Sequence, residues 1–243
     1  RSKFGPFSNQ HRDGRSFYQR PQSCYSCQTV HDGTDISITY QIDFPSSYSH
    51  SIMSLDVDVI RKKLYVFDRY TAAIYMISNF TVDHAIGRFS WNQLHAGVSR
   101  GSVKLAVDWI SNNLYWTDPM YRWIAVQSLD NYGMFKILFH SDLEYHLGIA
   151  VDPIHNYLFW SDAGSTPKIE RSTLTGTDRK VIVSTGILYL TAIDVDIANS
   201  KLYWTDASRD TVEMTSFTGS GKKKHQKIFS FRFLRYCTLS GNK

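Results

Sequence analysis

The chain has 243 residues, 42% of them hydrophobic and 14% aromatic, and a formal net charge of +5. This composition supplies enough apolar surface for a packed core and excludes a wholly disordered chain. The most visible run of charge, Lys222-Lys223-Lys224, is typical of a solvated surface, and no basic stripe with interleaved aromatic residues accompanies it. Nucleic-acid binding is therefore not predicted.

The first 35 residues are polar and carry Cys24 and Cys27, while Cys237 lies near the other end. The spacing of the first two cysteines is typical of half a metal site or of a fragment of a disulfide module. Because no second Cys/His pair follows, we predict no metal site and interpret residues 1–35 as an irregular segment, a remnant of a preceding cysteine-rich module. Neither a secretory signal nor a membrane-spanning segment is predicted, so the chain is either cytosolic or begins inside a longer one.

Residues 36–40 form a candidate strand, and four copies of one repeat follow it. Each copy has a Val-Asp pair and a second aspartate ten residues after the first, and the second aspartates recur at intervals of 50, 44 and 44 residues. These intervals are close to the period of a four-stranded propeller blade. The copies are Val57-Asp58 to Leu64-Tyr65-Val66-Phe67-Asp68, Val107-Asp108 to Leu114-Tyr115-Trp116-Thr117-Asp118, Val151-Asp152 to Leu158-Phe159-Trp160-Ser161-Asp162, and Val195-Asp196 to Leu202-Tyr203-Trp204-Thr205-Asp206.

Within each period the pattern predicts four antiparallel strands joined by tight turns. A third strand begins with an apolar residue six or seven positions after the second aspartate, at Ile74, Ile124, Ile169 and Val212. Turns rich in Gly, Asn and Thr then lead to a fourth strand. The sequence therefore predicts an all-β propeller with four recognisable blades across residues 36–230, followed by a non-repeat tail at 231–243.

The repeated motif residues have a structural interpretation. Large rings fill the wide interface between blades, and a carboxylate at each strand end can accept backbone N–H bonds across the gap between them. An enzyme needs one asymmetric arrangement of catalytic side chains, so residues that recur in every blade are interpreted as part of the scaffold. These are Asp58, Asp68, Asp108, Tyr115, Trp116, Asp118, Asp152, Trp160, Asp162, Asp196, Tyr203, Trp204 and Asp206.

The LYWTD, LFWSD and LYVFD motifs, each preceded by Val-Asp, resemble the class B (YWTD) repeats of low-density lipoprotein receptors, their Wnt co-receptor relatives and nidogen. The resemblance implies a six-bladed ring, of which four blades are visible, so we expect a fragment or a truncated product. It also implies an extracellular module that binds protein ligands and serves endocytosis or Wnt-type signalling. Such a module sits at the plasma membrane or in the endosome lumen within a longer receptor, and self-association through open propeller edges is expected.

In this family, ligands dock on the face formed just after each motif aspartate and just before each Val-Asp strand. The matching candidates here are Met53, Arg69, Tyr70, Val103, Met120, Tyr121, Arg122, His146, Leu147 and Thr191. Ala163 stands where the family often has an aromatic residue. Charging of His146 in an acidic endosome is a further hypothesis for ligand release, and Asn79-Phe80-Thr81 is a candidate N-glycosylation site.

Two rival interpretations remain open. A propeller-fold hydrolase would gather acidic residues at the central channel, but Glu144, Glu170 and Glu213 are the only glutamates, so no enzyme is predicted. A nonfunctional truncated product is the other alternative. No cofactor is predicted, although calcium is expected in adjoining EGF-like modules of a full receptor.

Overall fold

A computed structural model describes residues 25–28, 37–40, 50–78, 90–227 and 238–239. A small sheet of three strands combines the two ends of the chain: β1 (Tyr25–Gln28) lies between β19 (Thr238–Leu239) and β2 (Ser37–Tyr40). Strand β2 occupies the predicted strand at 36–40. Strand β1 lies in the segment predicted to be irregular and β19 in the predicted non-repeat tail. Neither strand was predicted, because pairing between distant segments leaves no local sequence pattern. The domain boundaries at 36 and 230 stay predictions.

Four other sheets are antiparallel meanders, one for each sequence repeat, in which strand order follows chain order. The first blade contains β3 (Ile52–Asp58), β4 (Lys63–Asp68), β5 (Ala73–Ser78) and β6 (Ser90–Ala96). The second contains β7 (Lys104–Asp108), β8 (Asn113–Asp118), β9 (Trp123–Ser128) and β10 (Phe135–Phe139). The third contains β11 (His146–Asp152), β12 (Tyr157–Asp162), β13 (Lys168–Thr173) and β14 (Lys180–Val183). The fourth contains β15 (Leu190–Asp196), β16 (Lys201–Asp206), β17 (Thr211–Ser216) and β18 (Lys223–Lys227). The predicted all-β propeller with four four-stranded blades is confirmed.

The first strand of each blade is the innermost one. Strand β7 contacts β3 and β11, and β11 also contacts β15, so these four strands line a common axis. Ser54 and Asp56 of β3 accept bonds from the backbone N–H groups of Leu105 (3.1 Å) and Val107 (2.8 Å) of β7. The inner edge of one blade is thereby tied to the next through side chains rather than through a shared sheet.

A glycine allows the inner strands of the third and fourth blades to approach each other. A Cβ atom added to Gly148 would lie 2.6 Å from Ile193 Cγ2 and 2.9 Å from Ser161 Oγ. Both distances are shorter than van der Waals contact, so this position in β11 has no room for a side chain.

The motif rings fill the gaps between blades, as the sequence predicts. Because successive side chains of a strand point to opposite faces, the motif tryptophan of the second, third and fourth blades faces the preceding blade. The ring at the second motif position of the first three blades faces the next blade. The buried rings pair as Tyr65 with Trp116, Tyr115 with Trp160, and Phe159 with Trp204, one pair in each of the three hydrophobic clusters. A ring that buries roughly 200 Å² contributes about 5 kcal/mol before the cost of ordering it is subtracted.

A buried ion pair reinforces the contact between the second and third blades. The Arg179 guanidinium donates to both carboxylate oxygens of Glu170 at 2.9 and 2.8 Å. It also donates to the carbonyl groups of Ser141 and Asp142, which belong to the linker between these blades. Glu170 accepts a further bond from the Trp160 indole N–H at 3.1 Å. The charged pair therefore connects the third strand of the third blade with the Trp160 ring and with the linker that precedes this blade.

Candidate ligand-docking face

The second aspartate of each repeat is buried and holds the linker that leads into its own blade. Asp162 accepts N–H bonds from Glu144 (2.9 Å) and Tyr145 (2.7 Å), both in the linker before β11, and from Gly164 (3.1 Å) just after the motif. The same pattern recurs at Asp68, Asp118 and Asp206. The sequence analysis expected these bonds to cross the gap between blades. They hold the linker instead, because the linker passes directly over the strand end.

Asp68 has the most extensive set of partners. Burial opposes ionisation of its carboxylate, but N–H bonds from Ser51 and Tyr70 and side-chain bonds from His50 and Thr71 lower its pKa below the ordinary value. These partners occupy both oxygens, so the group is committed to holding the backbone in place.

The first aspartate of each repeat braces the turn between the first and second strands. Asp108 accepts the N–H groups of Ile110 (2.9 Å) and Ser111 (3.0 Å), and Asp152 accepts those of Ile154 (3.0 Å) and His155 (3.1 Å). The last residue of this turn has a positive φ in all four blades, at Lys62, Asn112, Asn156 and Ser200. The repeated aspartates thus act at opposite ends of the blades.

The propeller therefore presents two surfaces. The motif end consists of the loops after each second aspartate and the linkers between blades, at 69–72, 97–103, 119–122, 140–145, 163–167, 184–189 and 207–210. The hairpin end consists of the turns between the first and second strands, at 59–62, 109–112, 153–156 and 197–200, and those between the third and fourth strands, at 129–134, 174–179 and 217–222.

Five of the ten candidate docking residues lie exposed at the motif end. Tyr70, Met120 and Tyr121 are 54%, 66% and 51% exposed, and Arg69 and Arg122 are exposed beside them. The centroids of the Tyr121 and Trp123 rings lie 4.8 Å apart, so the two rings pack against each other. Tyr, Met and Arg are the side chains enriched at protein interfaces.

The other five candidates are buried or half-buried. Val103 lies within the hydrophobic cluster between the first two blades, and half-buried Met53 packs against that cluster. Leu147 and half-buried Thr191 line a small pocket formed by residues of all four innermost strands. These positions precede or begin the innermost strands, where side chains turn inward, so the buried ones cannot contact a ligand at the surface.

His146 is fully buried between the second and third blades rather than beside a ligand. Its Nε2 lies 3.0 Å from the Trp123 carbonyl oxygen, and its Nδ1 has no hydrogen-bond partner. Burial lowers the pKa of the imidazole, against the opposing effects of the Trp123 carbonyl and of the Asp162 and Asp118 carboxylates. Protonation of this imidazole at acidic pH would therefore disturb the packing between the second and third blades.

The linkers add exposed residues that the sequence analysis missed. Tyr145, Leu188 and Tyr189 are 41%, 55% and 41% exposed at the motif end. Tyr145 and Tyr189 each stand directly before the buried first residue of an inner strand, His146 and Leu190. Because side chains alternate between opposite faces at the start of a strand, this position could have identified Tyr145 and Tyr189 as exposed from the sequence. Asn79, the candidate glycosylation site, and Cys24 and Cys237 lie outside the described residues.

The axial pocket contains a single charged group. Lys104 lines it together with Ser54, Leu147 and Thr191, and burial lowers the pKa of its ammonium group. Within the described parts of the chain, no three His, Cys, Asp or Glu side chains come together in a way that could hold a metal ion. The same parts contain no helix with the length and apolarity needed to span a bilayer.

Comparisons with known proteins support the repeat and the fold. The family model "low-density lipoprotein receptor repeat class B" matches residues 156–197. The nidogen chain of a nidogen/laminin complex aligns with a TM-score of 0.68 and 22% identity, over 83% of this chain and 77% of that one. A catalytically inactive virginiamycin B lyase from Staphylococcus aureus, solved with quinupristin, aligns with a TM-score of 0.56 and 13% identity, over 72% of this chain and 55% of that one. Curated protein sequences gave no significant match.

The family match covers the third repeat, and the structural match to nidogen covers most of the blades. Together they confirm the resemblance to the YWTD propellers. The likeness to a lyase shows that propellers of this general shape also include enzymes, and at these identities it concerns the fold alone.

Proposed function

Since the chain is a YWTD-type propeller that carries a low-density lipoprotein receptor class B repeat, we propose that it is the protein-binding module of an extracellular receptor or matrix protein. The observation that carries this proposal is the cluster of exposed Tyr, Met and Arg side chains at the motif end. Tyr70, Met120 and Tyr121 extend from the first two blades, and Tyr145 and Tyr189 continue the surface to the third and fourth. Exposed Tyr, Met and Arg side chains that recur around one surface of a monomer mark an interaction site. The hairpin end also exposes Tyr132 and Met134, both in the second blade.

The rival enzymatic function has less support. The repeated carboxylates are buried and bonded to backbone N–H groups of the scaffold, as at Asp162 and Asp108. Among the glutamates, Glu170 and Glu213 pair with basic side chains, and Glu144 bonds to the backbone N–H and the hydroxyl of Ser165. Each of these acids thus has a structural partner. We therefore propose that the chain acts by binding rather than by catalysis.

We further propose the finer assignment implied by the family: a place in a longer receptor at the cell surface or in the endosome lumen, with an endocytic or Wnt co-receptor role. Copies of the chain are also proposed to associate through the outer face of the fourth blade. Tyr203 and Thr205 are half-buried there, whereas the equivalent Tyr115 and Thr117 of the second blade are covered by the third.

Laminin is a suitable probe for the binding function, because the structurally similar nidogen was solved in complex with it. Titration of the chain over immobilised laminin is expected to give saturable binding. Tyr70→Ser with Tyr121→Ser should weaken this binding by roughly thirtyfold, the effect of losing a hot-spot contact. Ile154→Ser at the hairpin end is the matched control and should change nothing.

If laminin does not bind, the same variants are tested against any extracellular protein that does. Binding that is insensitive to the double tyrosine variant but lost in the hairpin-end control would contradict the assignment of the docking face.

A further inference from the structure

The hairpin end carries a set of exposed aliphatic side chains that the proposed protein-binding function does not use. Val59 and Ile60 of the first blade are 75% and 72% exposed, Ile110 of the second is 51% exposed, and Ile154 of the third is 61% exposed. They occupy the turns between the first and second strands of three consecutive blades. We call these four residues the aliphatic tips.

The tips form a braced array. The Arg61 guanidinium of the first blade donates to the Trp109 carbonyl oxygen of the second at 2.7 Å, so neighbouring turns touch each other. The backbone N–H groups of Ile110 and Ile154 donate to the buried carboxylates of Asp108 and Asp152. Because these N–H groups are already bonded inside the fold, the tips could enter an apolar layer without exposing them there.

The surface around the tips is basic. Arg61 and Lys62 follow Ile60 directly, and Arg61 is paired with Asp58 at 2.9 Å. The turns between the third and fourth strands, with the first residues of the fourth strands, add exposed lysines from three blades at Lys136, Lys180, Lys222 and Lys223. Lys222 is paired with the buried carboxylate of Glu213 at 3.0 Å. Among the described residues of this end, the exposed carboxylates are those of Asp130 and Asp178, and that of Asp196 is half-buried. Asp178 is paired with Lys180 at 2.9 Å, Asp130 accepts a bond from the Asn112 amide, and Asp196 accepts bonds from the backbone N–H and the amide of Asn199. The described part of the hairpin end therefore leaves Lys62, Lys136 and Lys223 exposed as positive charges with no ion pair.

From this combination we infer that the hairpin end docks on an anionic phospholipid surface, with the aliphatic tips in the interfacial layer and the lysines against the headgroups. Aliphatic side chains beside Lys and Arg are the combination by which peripheral proteins lie on such membranes. A second copy of the chain does not fit, because two such ends facing each other would bring like charges together. In this orientation the motif end points away from the membrane and stays open to protein ligands.

The test is co-sedimentation of the whole chain with vesicles of phosphatidylcholine alone or with about a third phosphatidylserine. We expect binding to the anionic vesicles, weak binding to the neutral ones, and loss of binding as salt is raised. Lys62→Glu with Lys136→Glu should lower the partition coefficient by about tenfold or more, since each basic residue near the surface contributes to attraction.

The aliphatic tips distinguish a membrane from other polyanions. Ile60→Ser, Ile110→Ser and Ile154→Ser together should reduce vesicle binding by about tenfold or more, because the apolar contact is lost while the charge is unchanged. The matched control is Tyr70→Ser, Met120→Ser and Tyr121→Ser at the motif end, which should bind vesicles as the parent chain does. Thermal unfolding of each variant shows that the fold is retained.

Two results would overturn the inference. One is equal binding to neutral and anionic vesicles, or none to either. The other is binding that depends on the lysines but not on the tips, which would indicate a polyanion such as a sulfated polysaccharide instead of a bilayer.

Discussion

The second aspartate of each repeat holds a linker against the end of a strand through hydrogen bonds from backbone N–H groups. Asp162 is buried and accepts three backbone N–H bonds. Hydrogen bonds to a charged acceptor contribute more than neutral ones, and loss of the charge also places an amide N–H against backbone donors. The residue type and the ten-residue spacing were visible in the sequence, but the identity of the donors was not.

Asp162→Asn is expected to lower the free energy of unfolding by about 2 kcal/mol or more. Urea denaturation followed by tryptophan fluorescence measures the change. Asp178→Asn makes the same chemical change at an exposed turn and should cost less than about 0.5 kcal/mol. Equal effects of the two substitutions would show that the hydrogen bonds to Asp162 do not contribute to stability.

His146 gives the protein a specific dependence of stability on pH. Burial depresses the pKa of its imidazole below the ordinary 6.5, so the unfolded chain binds a proton more readily than the folded one. The free energy of unfolding contributed by this group is therefore highest above pH 6.5 and falls as the pH is lowered through that value. Half-buried His95 shifts in the same direction, because burial outweighs its bond to Gln127.

His146→Gln is expected to flatten this part of the pH profile, since Gln can still donate to the Trp123 carbonyl but does not titrate. The measurement is a series of urea denaturations between about pH 7.5 and 5. His140→Gln is the control, because His140 is exposed and its replacement should leave the profile as it is. A variant at 146 with the parent slope would rule out this origin of acid sensitivity.

At the scale of strands, the ion pair of Glu170 and Arg179 connects β13, β14 and the linker before β11. The Glu170 side chain is 5% exposed and that of Arg179 is 20% exposed. The removal of Arg179 leaves the buried Glu170 carboxylate with Lys168, at 3.3 Å, as its remaining cationic partner. The neighbouring pair of Lys180 and Asp178 is 45% and 60% exposed and is surrounded by water. The two pairs are close in sequence and differ mainly in burial.

Arg179→Ala is therefore predicted to lower the free energy of unfolding by about 3 kcal/mol, and Lys180→Ala by less than about 0.5 kcal/mol. Chemical denaturation of both variants provides the comparison. The double variant Glu170→Gln with Arg179→Met should recover part of the loss, because it removes the buried carboxylate that only Lys168 would still neutralise. No recovery would assign the effect to the bonds that Arg179 makes with the linker carbonyls.

Strand assignment followed from the sequence because the first and second strands of each blade end at the repeated aspartates, and an apolar residue marks the start of the third strand six or seven positions after the second aspartate. The pairing of β1 with β19 did not follow, since Tyr25 and Leu239 come from distant segments with no shared pattern. His146 was predicted at the docking face, and its full burial was not predicted, because a histidine at the start of an inner strand has the same local sequence whether its ring faces solvent or the neighbouring blade.

At the scale of the whole molecule, the arrangement of the blades predicts self-association. Each of the first three blades buries the ring at the second position of its motif against the following blade, at Tyr65, Tyr115 and Phe159. Tyr203 of the fourth blade is half-buried at the same position. A sheet face with apolar and aromatic residues is a surface that other sheets can cover.

Sedimentation velocity is expected to show a weight-average mass that rises with protein concentration. Tyr203→Lys with Thr205→Lys should shift this rise to higher concentration through charge repulsion, whereas Val181→Lys on the outer strand of the third blade should not. A concentration-independent monomer with a sharp thermal transition would contradict the prediction.

The sequence by itself determined the blade count, the strand order and the scaffold role of the motif rings, because these depend on a repeated local pattern of apolar and polar residues. Only the tertiary structure decided which candidate residues reach the surface and which side chains face each other across a blade contact. Met120 and Tyr121 are exposed, while Val103 and His146 are buried, although all four stand beside a motif or an inner strand. The reason is physical: burial and charge depend on neighbours that are distant in sequence, and the repeat specifies each blade but not what an individual loop residue contacts.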